Sequence, residues 1–226
     1  MKIPRHLKQL FDGWPELVCF DLDGTLVDSV PDIAGAVDAF LVAHNAPLAG
    51  EERVRTWVGF GSAKLIEQAM AWADIDPNKH EECYSIFLKH YFTHLTDNTT
   101  LYPNVKALLK ALKHRGVPVA LVTNKPGVFI KPILDHFEIT EHFGWFLGGD
   151  TLVERKPSGL PLLHCCDAIE AGPEKCLMIG DSITDFRAAN NAGFKCALVT
   201  YGYNQGVDLA TLGADVVIDD LVELLI

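Results

Sequence analysis

Two carboxylates separated by one residue, Asp21 and Asp23, close the apolar run Leu17-Val18-Cys19-Phe20 and are followed at once by Gly24-Thr25. Two acids so spaced at a turn can bring their groups onto one hard cation; Mg²⁺ takes oxygen ligands and shares itself with substrate phosphate. Gly24 allows backbone conformations closed to other residues, and Thr25 offers a hydroxyl and an N–H to an anion. The apolar run is continuous rather than alternating, which predicts a strand buried on both faces over 17–21. The C-terminal ends of such strands are where open α/β sheets bind ligands. A strand followed by an acidic turn is the plainer alternative, because Asp-Gly is a frequent turn pair. The full string Asp21-Leu22-Asp23-Gly24-Thr25-Leu26-Val27-Asp28-Ser29 argues against it.

Three further strand ends carry polar residues: Thr123 and Asn124 after 117–122, Lys156 in the loop beyond 145–147, and Asp181 with Asp185 after 176–179. In a parallel sheet all these ends lie on one edge. Carboxylates gathered there repel unless a cation neutralises them. A phosphate held by Mg²⁺, Lys156 and loop N–H groups would balance the charge, which is the layout of phosphoryl transfer. Each residue also has an ordinary reading: Thr123 a strand-end hydroxyl, Lys156 a solvated loop lysine, Asp181 a helix cap, Asp185 a first-turn acid favoured by the helix dipole. Their joint occurrence at successive strand ends favours the site.

The elements that must position these groups follow from periodicity. Residues 1–16 read as an N-terminal extension, with a short helix. Ile33, Ala36, Val37, Phe40 and Leu41 recur at helical spacing, with Asp28 and Ser29 as entry caps and Pro31 in the first turn. Segments 50–58, 62–74 and 78–96 are also helical, and no strand pattern interrupts them. The rest alternates: helices over 104–115, 126–137, 159–171, 184–192 and 221–226, strands over 117–122, 145–147, 176–179, 196–200 and 216–218. Alternation argues a parallel sheet with crossover helices.

Composition bounds the reading. The chain has 226 residues, 49% of them hydrophobic, enough for a large core rather than disorder. A formal charge of −11 disfavours nonspecific binding to nucleic acid or anionic membrane. No apolar run approaches the ~20 residues of a membrane span, and 1–16, with Lys2, Arg5, Lys8, Asp12 and Glu16, does not resemble a signal peptide. Six cysteines at 19, 83, 165, 166, 176 and 196, with no C-x-x-C, argue for a reducing cytoplasm rather than a disulfide framework. Cys19, Cys176 and Cys196 lie in or beside apolar strand-like runs and read as core residues, and Cys165-Cys166 falls on a helix. The nine histidines form no zinc-like spacing.

Four motifs in order, Asp21-Leu22-Asp23-Gly24-Thr25, Val122-Thr123-Asn124, Lys156-Pro157 and Gly180-Asp181-Ser182-Ile183-Thr184-Asp185, resemble those of the haloacid dehalogenase superfamily, and within it the phosphoglycolate phosphatase-like group. The resemblance implies an α/β fold: a Rossmann-like doubly wound parallel sheet core over 1–29 and 99–226, with an inserted all-helical cap over 30–98. Val54-Arg55-Thr56-Trp57-Val58-Gly59-Phe60-Gly61 also resembles that group, except that a polar residue, typically Asn, is more usual at Phe60. It further implies that Asp21 attacks phosphorus, Asp23 is the general acid and base, Thr123 binds phosphate, and Lys156 neutralises charge. Mg²⁺ would be held by Asp21, the Asp23 backbone carbonyl and Asp181, with Asp185 supporting. Thr123, Asn124 and Lys156, with Gly59, Gly61 and Arg55 of the cap, are the candidate substrate contacts, and Lys64 is a further candidate cation.

The activity so implied is a Mg²⁺-dependent phosphomonoesterase acting on a small phosphorylated metabolite, 2-phosphoglycolate first, in a monomer or homodimer. A sugar-phosphate phosphatase or phosphomutase of the same superfamily is the alternative, though mutases usually carry Glu-Asp where this chain has Gly180-Asp181. A dehalogenase would lack the acid at Asp23. A non-catalytic phosphate-binding module would not require every catalytic position to be filled.

Overall fold

The structure, a computed structural model, describes residues 3–11 and 13–225. Lys2, Asp12 and Ile226, which fall in the expected N-terminal extension and last helix, lie outside the described residues. The strands are β1 (Leu17–Phe20), β2 (Val27–Asp28), β3 (Thr100–Leu101), β4 (Val119–Val122), β5 (Trp145–Leu147), β6 (Cys176–Gly180), β7 (Lys195–Val199) and β8 (Val216–Ile218). The α-helices are α1 (Arg5–Leu10), α2 (Val30–Ala43), α3 (Gly50–Arg55), α4 (Ser62–Trp72), α5 (His80–Thr93), α6 (Val105–His114), α7 (Ile130–His136), α8 (Leu160–Asp167) and α9 (Ile183–Ala192).

Six strands form one parallel sheet in the order β5-β4-β1-β6-β7-β8. The chain builds outward from β1 through β4 to β5, then returns to β6 on the other side of β1 and builds outward again. That reversal beside β1 is the doubly wound switch point. The unbroken apolar run of β1 has a physical reason. Val18 and Phe20 enter one core with Leu108 and Leu109 of α6 and Ile133 and Leu134 of α7. Leu17 and Cys19 enter a second core with Leu162 and Cys165 of α8 and Ala188 and Ala189 of α9. Successive strand residues point to opposite faces, so a sheet covered on both sides needs apolar residues at every position.

All four helices α2 to α5 lie between β2 and β3. The sequence reading misses β2 and β3, which pair antiparallel as Val27↔Leu101 and Asp28↔Thr100. Two residues per strand carry no periodicity to read. This ribbon brings the two connections of the helical insertion side by side. Next to it, buried Asp32 of α2 accepts hydrogen bonds from the backbone N–H of Asn98 (3.0 Å) and Thr99 (2.8 Å), the Thr99 hydroxyl (2.7 Å) and the Asn98 amide (2.9 Å).

Other boundaries move for local reasons. The expected helix 126–137 is a 3-10 turn, Gly127–Phe129, followed by α7. Pro132 therefore falls in the first turn of α7, where an N–H has no intrahelical partner to lose. The expected last helix is a 3-10 turn, Leu221–Leu224, capped by Asp220. Among the described residues no helix is long and apolar enough to cross a membrane.

Replacing Asp32 by Ala would strip partners from the Thr99 N–H and hydroxyl where the chain leaves the insertion. We expect D32A to lower unfolding free energy by about 2–4 kcal/mol, measured by urea denaturation, with D32N recovering part of the loss.

Candidate active site

The end of β1 delivers both acids of the first motif. Asp21 extends the ladder by one residue, its N–H donating to Ile179 O. Its Oδ1 accepts from the next N–H, that of Leu22, at 2.7 Å. The same oxygen lies 2.9 Å from Lys156 Nζ, and Lys156 Nζ lies 2.6 Å from Asp185 Oδ1. Asp185 is held from behind: its Oδ2 accepts from the N–H (3.1 Å) and hydroxyl (2.7 Å) of Ser182, the capping box of α9. Ser182, not Asp181, therefore caps that helix, and Asp185 combines the helix-end role with the ion pair. Asp181 accepts from the Thr25 hydroxyl (2.9 Å) and the Tyr203 N–H (2.6 Å). Thr25, expected to face an anion, spends its hydroxyl on Asp181.

Oxygens of Asp21, Asp181 and Asp185 all lie within 4.8 Å of one another, and all three residues are buried. Burial pushes the Asp21 carboxyl up to about 6; Lys156 pulls it down, and Asp185 pushes it further up. Burial, then Asp185 and Asp21, hold the Asp181 carboxyl well above the usual carboxylate range. Burial opposes the charge on Lys156, yet Asp185 and Asp21 outweigh it and raise that ammonium. Three carboxylates against one ammonium leave a site short of positive charge, lined by hard oxygen donors. That donor set fits a divalent cation of the Mg²⁺ kind. The approach is close: a Cβ on Gly24, at φ +87°, would lie 2.3 Å from Asp181 Oδ2.

Asp23 faces a different partner. Its carboxylate takes two hydrogen bonds from Lys125 Nζ, at 2.8 and 3.0 Å, and one from the Ser29 hydroxyl at 2.6 Å. Ser29, expected as a helix cap, occupies the N-cap position of α2 without a side-chain cap bond. Lys125 is buried against the ring of Tyr91 on α5, 4.7 Å from its centroid. Asp23 works against burial to raise the Lys125 ammonium. The sequence assigns site roles to Thr123 and Asn124 and none to Lys125, the next residue of the same strand end. Its position beside the motif was the available signal, and its burial was not.

The remaining predicted residues divide. Asp21, Asp23, Thr123, Asn124, Gly59 and Gly61 line one cavity between the strand ends and the insertion. Asn124 ties the two together, donating to Gly59 O (3.1 Å) and to Lys156 O (2.9 Å). Arg55 does not line that cavity; it pairs with Asp28 at 3.3 Å and lies over the Tyr203 ring at 4.9 Å. Lys64 pairs with Glu67 on the exposed face of α4. Nothing in the sequence marks Tyr203, whose hydroxyl donates to Asp28 (2.6 Å) and accepts from the Ser29 N–H (2.9 Å).

A sequence model of the haloacid dehalogenase-like hydrolases matches residues 15–193. The chain belongs to the haloacid dehalogenase-like hydrolase family. It is similar to a phosphoglycolate phosphatase of Pseudomonas putida, 44% identical over 223 residues, 96% of this chain and 82% of that protein. A phosphoglycolate phosphatase of Nitrosococcus oceani is 42% identical over 214 residues, 93% and 95% of the two chains. Among solved structures, a predicted phosphoglycolate phosphatase from Haemophilus somnus 129pt superposes with a TM-score of 0.90 at 38% identity, covering 93% of this chain and 96% of that one. Within the family the chain is phosphoglycolate phosphatase-like, an enzyme of the phosphoric monoester hydrolase class.

Lys156 is the ammonium that offsets the carboxylate cluster of this hydrolase. Removing one partner of a buried ionic group leaves uncompensated charge. Lys156→Met is expected to lower unfolding free energy by about 3–5 kcal/mol in chelator-treated protein. Added Mg²⁺ should restore part of that loss, both read by chemical denaturation.

Proposed function

We propose that this hydrolase cleaves a small phosphate monoester through an aspartyl-phosphate intermediate on Asp21, with 2-phosphoglycolate, yielding glycolate and phosphate, as the first substrate. One observation carries the reading. Asp21 and Asp23 open into the same cavity, yet they face different ammoniums, Lys156, shared with Asp185, for Asp21 and Lys125 for Asp23. Two carboxylates in two environments suit two roles.

Asp21 attacks phosphorus, forming a P–O bond as the bond to the leaving oxygen breaks. Asp23 gives a proton to the departing alkoxide. It then takes one from the water whose oxygen attacks phosphorus, and the Asp21–phosphorus bond breaks to release phosphate and regenerate the carboxylate. Thr123, buried at the end of β4, accepts from the Lys125 N–H at 3.3 Å, leaving its own hydroxyl hydrogen for a phosphate oxygen. Lys156 orients Asp21 and offsets phosphoryl charge. Mg²⁺ held by Asp21, the Asp23 carbonyl and Asp181, with Asp185 supporting, would neutralise the charge of the phosphoryl oxygens.

Helices α2 to α5 act as a cap, residues 30–98, over a core of 1–29 and 99–226. The cap keeps bulk water from the intermediate. A phosphatase is favoured over a mutase by Gly180. A Cβ there would lie 2.3 Å from Asp185 Cγ, so the Glu usual in mutases could not be seated against Asp185 in this arrangement. A reducing, cytoplasmic setting is supported by the six cysteines, all buried and free of disulfides.

Phosphate release from 2-phosphoglycolate should stop with a metal chelator and return with Mg²⁺. Asp21→Asn should lose at least ~10³-fold in kcat, the scale of removing a nucleophile. Full turnover by D21N in a phosphate-release assay would refute the assignment of Asp21. A screen of small phosphate esters ranked by kcat/KM tests the substrate.

A further inference from the structure

The cavity above the strand ends has a polar floor and an apolar wall. Leu65 of α4, Phe87 of α5 and Phe129 supply the wall, and Asp21, Asp23 and Thr123 the floor. Lys125 is the one cationic side chain among the described residues that line it. That ammonium is buried, and Asp23 balances its charge. Its group has three donors, and Asp23 takes two, at 2.8 and 3.0 Å. Beside it, Tyr91 lines the same cavity, buried, with its hydroxyl oxygen turned to the Lys125 ammonium and no acceptor for its own proton among the described residues.

We propose that Lys125, with the Tyr91 hydroxyl, is a carboxylate seat that selects phosphate esters whose leaving group carries a carboxylate beside the leaving oxygen. This deepens the phosphatase reading above and rests on it. In that reading Asp23 protonates the leaving oxygen, so that oxygen lies against Asp23. A carboxylate one methylene away then falls within reach of the ammonium bound to Asp23. Arg55, a candidate substrate contact from the sequence, is already paired with Asp28 and lies outside the cavity lining.

The test compares 2-phosphoglycolate with 2-hydroxyethyl phosphate, which replaces the carboxylate by a neutral CH₂OH. Wild-type enzyme should prefer the carboxylate ester in kcat/KM. In Lys125→Met that preference should shrink by about 10- to 100-fold, the worth of one hydrogen bond to a charged group. Inhibition by inorganic phosphate, which has no leaving group, should stay close to wild type and report an intact phosphate site. K125Q, which keeps a donor for Asp23 without the charge, is the second variant should K125M not fold, and it must shift the preference the same way. Tyr91→Phe should shift it in the same direction by a smaller factor. An equal loss on both esters, with phosphate inhibition retained, would mean that Lys125 acts only through Asp23 and would overturn the proposal. So would a wild-type enzyme that hydrolyses both esters equally well, leaving the phosphatase reading standing. A wild-type enzyme that hydrolyses neither would overturn both.

Discussion

Three buried carboxylates sharing one edge of a sheet is the constraint around which this molecule is arranged. Asp21, Asp181 and Asp185 sit within a few ångströms of one another with a single ammonium, that of Lys156, between two of them. In a low-dielectric site such a cluster is unfavourable unless each oxygen has a partner. The fold supplies partners from several segments: the Leu22 N–H, the Thr25 hydroxyl, the Tyr203 N–H and the Ser182 capping box. A parallel sheet is what makes this possible. It lets residues more than 150 positions apart end their strands side by side, β1 directly against β6.

The second acid, Asp23, is kept out of that cluster by its own ion pair, and this separation organises the cavity. Lys156 serves the inner group and Lys125 the outer one. The loop after β4 carries Asn124 and Lys125 together, so one short segment both ties to Gly59 of the insertion and holds Asp23. Positions of α4 and α5 close the cavity with apolar side chains. The charged side chains of the lining, Asp21, Asp23 and Lys125, thus face an apolar wall of Leu65, Phe87 and Phe129.

Tyr203 gives the site a mechanical link to the base of the insertion. Its N–H holds Asp181, its hydroxyl bridges Asp28 and the Ser29 N–H, and Arg55 of α3 lies on its ring. Asp32 fastens the other connection through Asn98 and Thr99. The insertion is therefore anchored at both chain crossings by buried polar contacts, which are directional and fix orientation more sharply than apolar packing does.

The sequence alone determined the sheet, its parallel sense and the edge where the chemistry gathers. Continuous apolar strands and acidic strand ends are local signals, read one segment at a time. It also placed Asp21, Asp23, Thr123, Lys156 and Asp181 on that edge. What it did not hold were partnerships between residues distant in the chain: Lys125 with Asp23, Arg55 with Asp28, Thr25 with Asp181, Tyr203 with the base of the insertion. A lysine in a loop carries the same letter whether solvated or buried. Which of the two it is depends on the side chains that the folded chain brings around it, and only tertiary structure decides that.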